Sequence, residues 1–200
     1  LIQAGLPNLR VIQPYNFDQR HAFAVTIDYR YGSGANYNGP VIKDFNIFEN
    51  TGLNIFSNIY SGSPYSAQSN ITNVAQGNTV TPSLTGTQNG SRLPWSYRLD
   101  MQLDRTFDLE IKRGENKKKP VFLNVYVRAT NLLNQFNRIN VYRATGNWDD
   151  DGYLAAASSQ SSIQNQTDEQ SFRDYYTMSV QNAFNISVPR TIRLGVKFDF

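Results

Sequence analysis

Apolar and polar residues alternate over long stretches of this chain. In the last ten residues every second position is apolar, and these positions are Ile192, Leu194, Val196, Phe198 and Phe200. A period of two is typical of a β-strand that has one apolar and one polar face. Because chain ends fray unless something ties them down, we expect this strand to pair with a neighbour in a sheet.

The same alternation predicts four further strands. Together, the five strands are predicted near residues 20–31, 49–61, 95–110, 120–143 and 190–200. The fourth is interrupted at NLLNQFN and predicted to resume at RINVYR. Residues 61–94 and 145–189 are predicted as long loops, because Gly, Pro, Asn and Ser break any period there. One further segment in the second loop, YYTMSV, is a candidate for strand pairing. No convincing amphipathic helix is found, and the predicted fold class is all-β.

Composition excludes several classes of protein. The 19 Lys and Arg residues against 16 Asp and Glu leave a net charge of +3, which is too small to require a nucleic-acid partner. Cysteine is absent, which excludes disulfides and thiolate metal sites. Mean hydropathy is −0.50, and no stretch approaches the roughly 18 consecutive apolar residues of a membrane helix. The start on Leu1, without a signal peptide, leads us to expect a piece of a longer protein.

Strand length and loop length together favour a sheet that faces lipid. A tilted strand needs roughly 9–11 residues to cross the hydrocarbon layer, whereas sandwich strands average about 5–6. The predicted strands are of the longer kind. The connection KRGENKKKP is short, and the connections after the second and fourth strands are long. Outer-membrane barrels have short periplasmic turns and long extracellular loops, so both long loops are predicted outside the cell.

Five strands are too few to close such a barrel. The smallest barrels have about eight strands, and an open edge in lipid leaves backbone groups unpaired. We therefore predict an antiparallel transmembrane β-barrel in which residues 1–200 form the C-terminal segment. The remaining strands are expected outside this sequence.

Six motifs along the chain resemble one family of such barrels. In chain order they are FDQRH (17–21), SGSPYS (61–66), RLDMQLDRTF (98–107), RATNLLNQFN (128–137), TGNWDDDGYL (145–154) and VPRTIRLGVKFDF (188–200). In this order they resemble the C-terminal part of TonB-dependent outer-membrane receptors, of the SusC-like or Oar-like kind. The resemblance implies a 22-stranded barrel around an N-terminal plug. It also implies TonB-dependent uptake of a nutrient such as an oligosaccharide, a peptide or a metal chelate.

The resemblance further implies a location and partners. The location is the outer membrane of a Gram-negative bacterium. The partners are outer-membrane lipids, the rest of the barrel and its plug, the TonB complex, the barrel insertion machinery and a surface lipoprotein. No nucleic acid is expected. The alternating apolar residues of the last strand, closing on Phe200, resemble the assembly signal that the insertion machinery reads.

Candidate ligand-binding chemistry lies in the predicted loops. Asp149, Asp150 and Asp151 precede a glycine, and calcium prefers clustered oxygen ligands on a flexible loop. The spacing lacks the alternation of an EF-hand, and an exposed Asx-rich turn explains the same residues. Calcium is the single cofactor that the sequence suggests. Three aromatic loop residues have the chemistry to stack on sugar rings or peptide, and they are Tyr65, Trp148 and Tyr153.

No enzymatic site is predicted. His21 is the only histidine, and no nucleophile elbow accompanies it. Two other functions stay open: a structural or scaffold barrel within an envelope complex, and a soluble carbohydrate-binding β-sandwich. A sandwich would bury the apolar strand faces against a second sheet, whereas a barrel would turn them towards lipid. The residues on which this distinction depends are Phe23, Val25, Leu99, Leu103, Val125, Leu194 and Phe198.

Overall fold

A computed structural model describes residues 12–71, 83–112 and 118–199. Phe200, the last position of the predicted assembly signal, lies outside the described residues. The strands are β1 (Ala22–Arg30), β2 (Val41–Ile42), β3 (Phe45–Asn46), β4 (Thr51–Tyr60), β5 (Pro64–Tyr65), β6 (Ser91–Arg92), β7 (Ser96–Lys112), β8 (Lys118–Thr130) and β9 (Thr191–Asp199). The α-helices in these ranges are α1 (Gln160–Gln164) and α2 (Glu169–Val180). The structure is mostly antiparallel sheet, which confirms the all-β prediction at that level.

The five long strands form one sheet in the order β1-β4-β7-β8-β9. β7 and β8 pair antiparallel from Met101↔Ala129 to Lys112↔Lys118, and β8 and β9 pair from Phe122↔Asp199 to Thr130↔Thr191. β1 and β4 are joined by the bond from the Tyr31 N–H to the Thr51 carbonyl, at 3.0 Å. Each long strand therefore lies beside the next long strand of the chain, as in an up-and-down sheet.

Residues of the chain are divided between two compact units. The first, here called the sheet unit, comprises Ala22–Ile59, Tyr97–Phe136 and Val188–Phe200. The second, here called the loop unit, comprises Leu1–His21, Tyr60–Ser96 and Asn137–Ser187. Most of the two predicted long loops belongs to the loop unit, so these segments fold together, which the sequence did not predict.

Helix α2 replaces the strand-pairing segment that the sequence suggested. YYTMSV forms the second half of α2, so that prediction was wrong. Asp168 caps the helix by accepting a hydrogen bond from the Ser171 N–H at 3.0 Å, and Glu169 pairs with Arg173 one turn later at 2.8 Å. The buried residues are Tyr176 and Val180, four apart on one helix face. No helix in the described ranges is long and apolar enough to cross a membrane.

The strand predicted over 120–143 ends at Thr130. The next residue, Asn131, has φ +53°, a left-handed conformation that breaks the strand. Its buried side chain fixes the turn by donating to the carbonyls of Gln135 and Val188, each at 3.0 Å. RINVYR does not resume the strand; in it, Arg138 makes an isolated bridge to Ile186.

Candidate functional site

One side of the sheet unit, here called the apolar face, carries nearly all of its large apolar side chains. The register places Leu103, Val127 and Leu194 side by side, and the same is true of Phe107, Leu123 and Phe198. The face comprises Phe23, Val25, Ile27, Tyr29, Tyr31, Leu53, Ile55, Ile59, Tyr97, Leu99, Met101, Leu103, Arg105, Phe107, Leu109, Val121, Leu123, Val125, Val127, Ala129, Ile192, Leu194, Val196 and Phe198.

Most of the apolar face is open to solvent in the described part of the chain. Phe23 is 56% exposed and Leu194 is 73% exposed, whereas residues near the middle of the sheet, such as Leu99 and Val125, are half-buried and Val121 and Ala129 are buried. None of the seven residues chosen to separate a barrel from a sandwich is buried. A soluble sheet hides such a face, because exposed apolar patches of this size drive association. The geometry therefore provides a large apolar surface, most of which no other part of the described chain covers.

The opposite side of the sheet unit, here called the polar face, is a hydrogen-bonded network. Asp104 is 6% exposed and accepts from the Arg30 guanidinium at 3.1 Å and from the Asn124 amide at 3.2 Å. Gly52 lies on β4, between β1, which carries Arg30, and β7, which carries Asp104. A Cβ at Gly52 would come 2.6 Å from the Arg30 guanidinium. The missing side chain thus gives Arg30 the space to reach Asp104.

The polar face continues along β7, β8 and β9. Gln102 accepts two bonds from the Arg128 guanidinium, at 2.6 and 2.8 Å. Arg98 pairs with Asp100 at 2.7 Å, and Arg193 lies directly opposite Arg128. Charged groups with exposed ends are stable on a surface that water reaches. This face therefore has the chemistry of an aqueous wall.

A charged residue, Arg105, also lies on the apolar face. It lies opposite Val125 in the register. Its guanidinium donates to the Ile47 carbonyl at 2.8 Å and lies 5.2 Å from the centre of the Phe107 ring. The sequence prediction passed over this position, because one polar residue in a long apolar series does not change the period.

The loop unit is held together by bonds between segments that are distant in the sequence. The Gln68 N–H donates to the Arg143 carbonyl at 3.0 Å, which joins the first predicted loop to the end of the segment RINVYR. The Asn89 amide donates to the Pro14 carbonyl at 2.8 Å, and Arg92 pairs with Asp18. Gly62 allows a close approach, since a Cβ there would come 1.6 Å from the Leu93 carbonyl oxygen. These segments therefore form a folded unit.

A buried carboxylate lies at the centre of the loop unit. Asp151 is 2% exposed; it accepts from the Tyr176 hydroxyl at 2.6 Å and from the Tyr153 N–H at 3.0 Å. Ile163 of α1 and Val180 of α2 are also buried. The hydroxyl of Tyr142 donates to the Val180 carbonyl at 2.8 Å. Burial, together with the negative charge of Asp151, raises the pKa of the Tyr142 phenol above its ordinary value of 10.0.

The three consecutive aspartates form a turn in the structure. Asp150 accepts from the Gly152 N–H at 2.7 Å, and Gly152 has φ +84°. Asp151 bonds Tyr176 and Tyr153 as described, whereas Asp149 is half-buried. No group of three His, Cys, Asp or Glu side chains suited to a metal occurs in residues 12–71, 83–112 and 118–199. The calcium site at Asp149, Asp150 and Asp151 stays a prediction.

The structure gives the three aromatic ligand candidates different surroundings. Tyr153 stacks on Tyr176 at 5.0 Å between ring centres, so its ring packs inside the unit. The Tyr65 hydroxyl lies beside Gly146, and Trp148 is half-buried, its carbonyl accepting from Asn185 at 2.9 Å. The described lining of the two loop-unit cavities includes none of the three candidates.

Two cavities in the loop unit have both polar and apolar residues in their linings. The larger, of about 970 Å³, is lined in part by Tyr15, Asn89 and Arg143. The smaller, of about 290 Å³, is lined by Arg143 and by Asp151 among amide side chains. Amides and a guanidinium can hold the hydroxyl, carbonyl or carboxylate groups of a polar ligand. The lining amides Gln68, Asn140, Asn182 and Asn185 are separated in the sequence and follow no motif, so the sequence did not reveal them.

The predicted assembly signal lies on an edge strand. Ile192, Leu194, Val196 and Phe198 are on the apolar face of β9, which pairs with β8 on one side. At the start of β1, His21 donates its backbone N–H to the Ser61 hydroxyl at 3.0 Å, and its ring stacks on Trp95. His21 is thus held by a hydrogen bond and a ring contact just before β1 begins.

Comparison of this chain with protein-family models, with curated proteins and with solved structures finds no match.

Proposed function

We propose that this chain is part of the wall of an outer-membrane β-barrel, with its apolar face towards lipid and its polar face towards an aqueous interior. The single observation that carries the proposal is the contrast between the two faces of the sheet. Exposed Leu194 and its apolar neighbours cover one face, while Arg193, Arg128 and the Asp104 network cover the other. Membrane barrels alternate in this way along every strand.

The barrel needs more strands than this chain supplies. β1 and β9 are the two edges of the described sheet, and each has an unpaired side. In lipid, unpaired backbone groups cost roughly several kcal/mol each, so further strands of the same protein would pair with these edges. β9 would then close the barrel, which agrees with its expected role as the assembly signal.

We propose further that the whole protein is a TonB-dependent receptor that takes up a nutrient across the outer membrane of a Gram-negative bacterium. The support is the ordered set of motifs given above, together with the folded loop unit. The chain passes between the sheet unit and the loop unit at the strand ends that are away from the β7–β8 connection. In the proposed orientation these strand ends lie on the extracellular side of the membrane.

A pair of adjacent substitutions tests the barrel wall. Ile27 lies on the apolar face and Thr26 on the polar face of the same strand. In the full-length protein refolded into lipid vesicles, Ile27→Arg should lower the free energy of unfolding by about 2–4 kcal/mol, because an arginine is placed in the hydrocarbon layer. Thr26→Arg adds the same charge on the aqueous side and should change it by less than about 1 kcal/mol. A wild-type protein that stays soluble and does not insert would overturn the proposal.

A second experiment separates an active receptor from a scaffold barrel. The full-length protein in detergent is mixed with the purified periplasmic domain of TonB, and binding is measured by calorimetry. A receptor should bind this domain. If the protein inserts into vesicles but does not bind TonB, the barrel wall stands and the scaffold function replaces uptake.

A further inference from the structure

The connection between β1 and β4 contains a short hairpin with an apolar surface. Val41 pairs with Asn46 and Ile42 with Phe45 around a turn at Lys43 and Asp44, which have φ values of +49° and +63°. Two central residues with positive φ are typical of a tight two-residue hairpin. The apolar side chains point outward, since Ile42 is 58% exposed and Phe45 is 61% exposed. Water does not favour such a cluster.

The hairpin lies against the apolar face of the sheet unit. Arg105 of that face donates to the Ile47 carbonyl, and its guanidinium lies 5.8 Å from the centre of the Phe45 ring. Tyr31, at the end of the same face, stacks on Phe48 with 5.7 Å between ring centres. Both contacts come from side chains of the apolar face. The hairpin therefore extends the surface that the proposed function assigns to lipid.

The position along the strands is that of a membrane interface. Tyr97 and Arg105 are eight residues apart on β7, which in a strand tilted by roughly 40° spans about 20 Å across the membrane, close to the roughly 25 Å apolar band of such barrels. Aromatic residues collect at the Arg105 level, where Tyr29 and Tyr31 make an edge contact at 5.0 Å. Aromatic girdles mark the interfaces of membrane barrels, where a lipid-facing arginine is tolerated.

We propose that the β2–β3 hairpin is a lipid anchor in the periplasmic leaflet. Val41, Ile42 and Phe45 enter the layer just below the phospholipid headgroups, and Lys43 at the tip meets the lipid phosphates. The occupant is a phospholipid leaflet, because the hairpin continues a lipid-facing surface and has both a cation, Lys43, and an anion, Asp44, at its tip, where it would meet the charged headgroups. Arg105 holds the hairpin in place through the backbone carbonyls of Asn46 and Ile47. This inference rests on the proposed function.

Fluorescence quenching by brominated phospholipids tests the anchor. The full-length protein, in a cysteine-free background, receives one cysteine at Ile42, at Ile27 or at Thr26, and each is labelled with bimane. The three variants are reconstituted in vesicles with lipids brominated near the headgroup or near the chain end. The Ile42 label should lose more fluorescence with bromine near the headgroup, and the Ile27 label with bromine near the chain end. The Thr26 label, on the polar face, should lose little with either lipid.

The three positions separate the failure of the anchor from the failure of the barrel. If the Ile27 label is quenched and the Ile42 label is not, the hairpin lies in water and the anchor is overturned while the barrel wall stands. If neither label is quenched, the barrel wall fails and the anchor fails with it. Arg105→Gln should reduce the quenching at Ile42, and unchanged quenching would contradict the role of Arg105 in holding the hairpin.

Discussion

Removal of a single hydroxyl group tests whether the loop unit is held by its buried carboxylate. Tyr176→Phe deletes the donor that lies 2.6 Å from Asp151 and leaves the ring in place. Asp151 is almost fully buried, and it also accepts a hydrogen bond from the Tyr153 N–H. A buried carboxylate that loses a donor is left with an unmet hydrogen bond, which costs free energy in the folded unit. The substitution should therefore destabilise the loop unit locally.

The expected magnitude follows from the charge on the acceptor. A hydrogen bond to an ionised group contributes about 1.5–3 kcal/mol. Since about 1.4 kcal/mol corresponds to a factor of ten in an equilibrium constant, local opening should become about 10- to 150-fold more frequent. Amide hydrogens that exchange through this opening should exchange faster by the same factor.

Hydrogen exchange measured by mass spectrometry on the full-length protein detects this change in peptides that cover α1 and α2. The matched control is Tyr175→Phe, the same substitution at the preceding residue, whose side chain is 73% exposed. It should leave the exchange rates unchanged. Equal rates for both variants, or faster exchange throughout the protein, would refute the role assigned to the Asp151 carboxylate.

Two further predictions concern the turn after β8 and a buried tyrosine. Asn131→Ala should lower the urea midpoint of unfolding more than Asn134→Ala does. Both residues have positive φ, so the backbone effect of the substitution is matched. The side chain of Asn131 makes three hydrogen bonds to the backbone, whereas that of Asn134 makes one, to the Arg190 N–H. Equal midpoints would contradict this account of where β8 ends. Tyr142 should ionise above pH 10, because its folded-state pKa is raised. Its contribution to stability is then complete below its unfolded pKa and is lost as the pH rises through the folded pKa. An ultraviolet titration of the wild type minus Tyr142→Phe measures this step, and a midpoint at or below 10 would contradict the burial of the phenol.

The sequence predicted the sheet well where side-chain alternation alone decides the structure. Val127, Leu194 and their neighbours alternate with polar residues whatever the packing around them, so the long strands and their two faces could be predicted from the sequence. The end of β8 was not visible, since it depends on the left-handed conformation of Asn131 and on its bonds to Gln135 and Val188. A local propensity cannot supply those distant partners.

The loop unit was missed for a related reason. Its segments are joined by contacts such as the bond from the Gln68 N–H to the Arg143 carbonyl. No local sequence pattern predicts a contact between residues so far apart in the chain. Helix α2 did leave a signal, because Asp168 at the N-cap is followed by Glu169 in the first turn and by Tyr176 and Val180 four residues apart. The alternation of YYTMSV was too short to outweigh that signal.

Spin labels on two cross-strand pairs test the lipid-facing wall most directly. Val127 pairs with Leu194, and Arg128 pairs with Arg193, so one pair represents each face at nearly the same height. Nitroxides are attached at these four positions, one at a time, in the full-length protein in bilayers. The account predicts strong relaxation by oxygen, which concentrates in lipid, at positions 127 and 194, and strong relaxation by a water-soluble nickel complex at positions 128 and 193. Low accessibility to both reagents at 127 and 194, as in a dry core between two sheets, would contradict it.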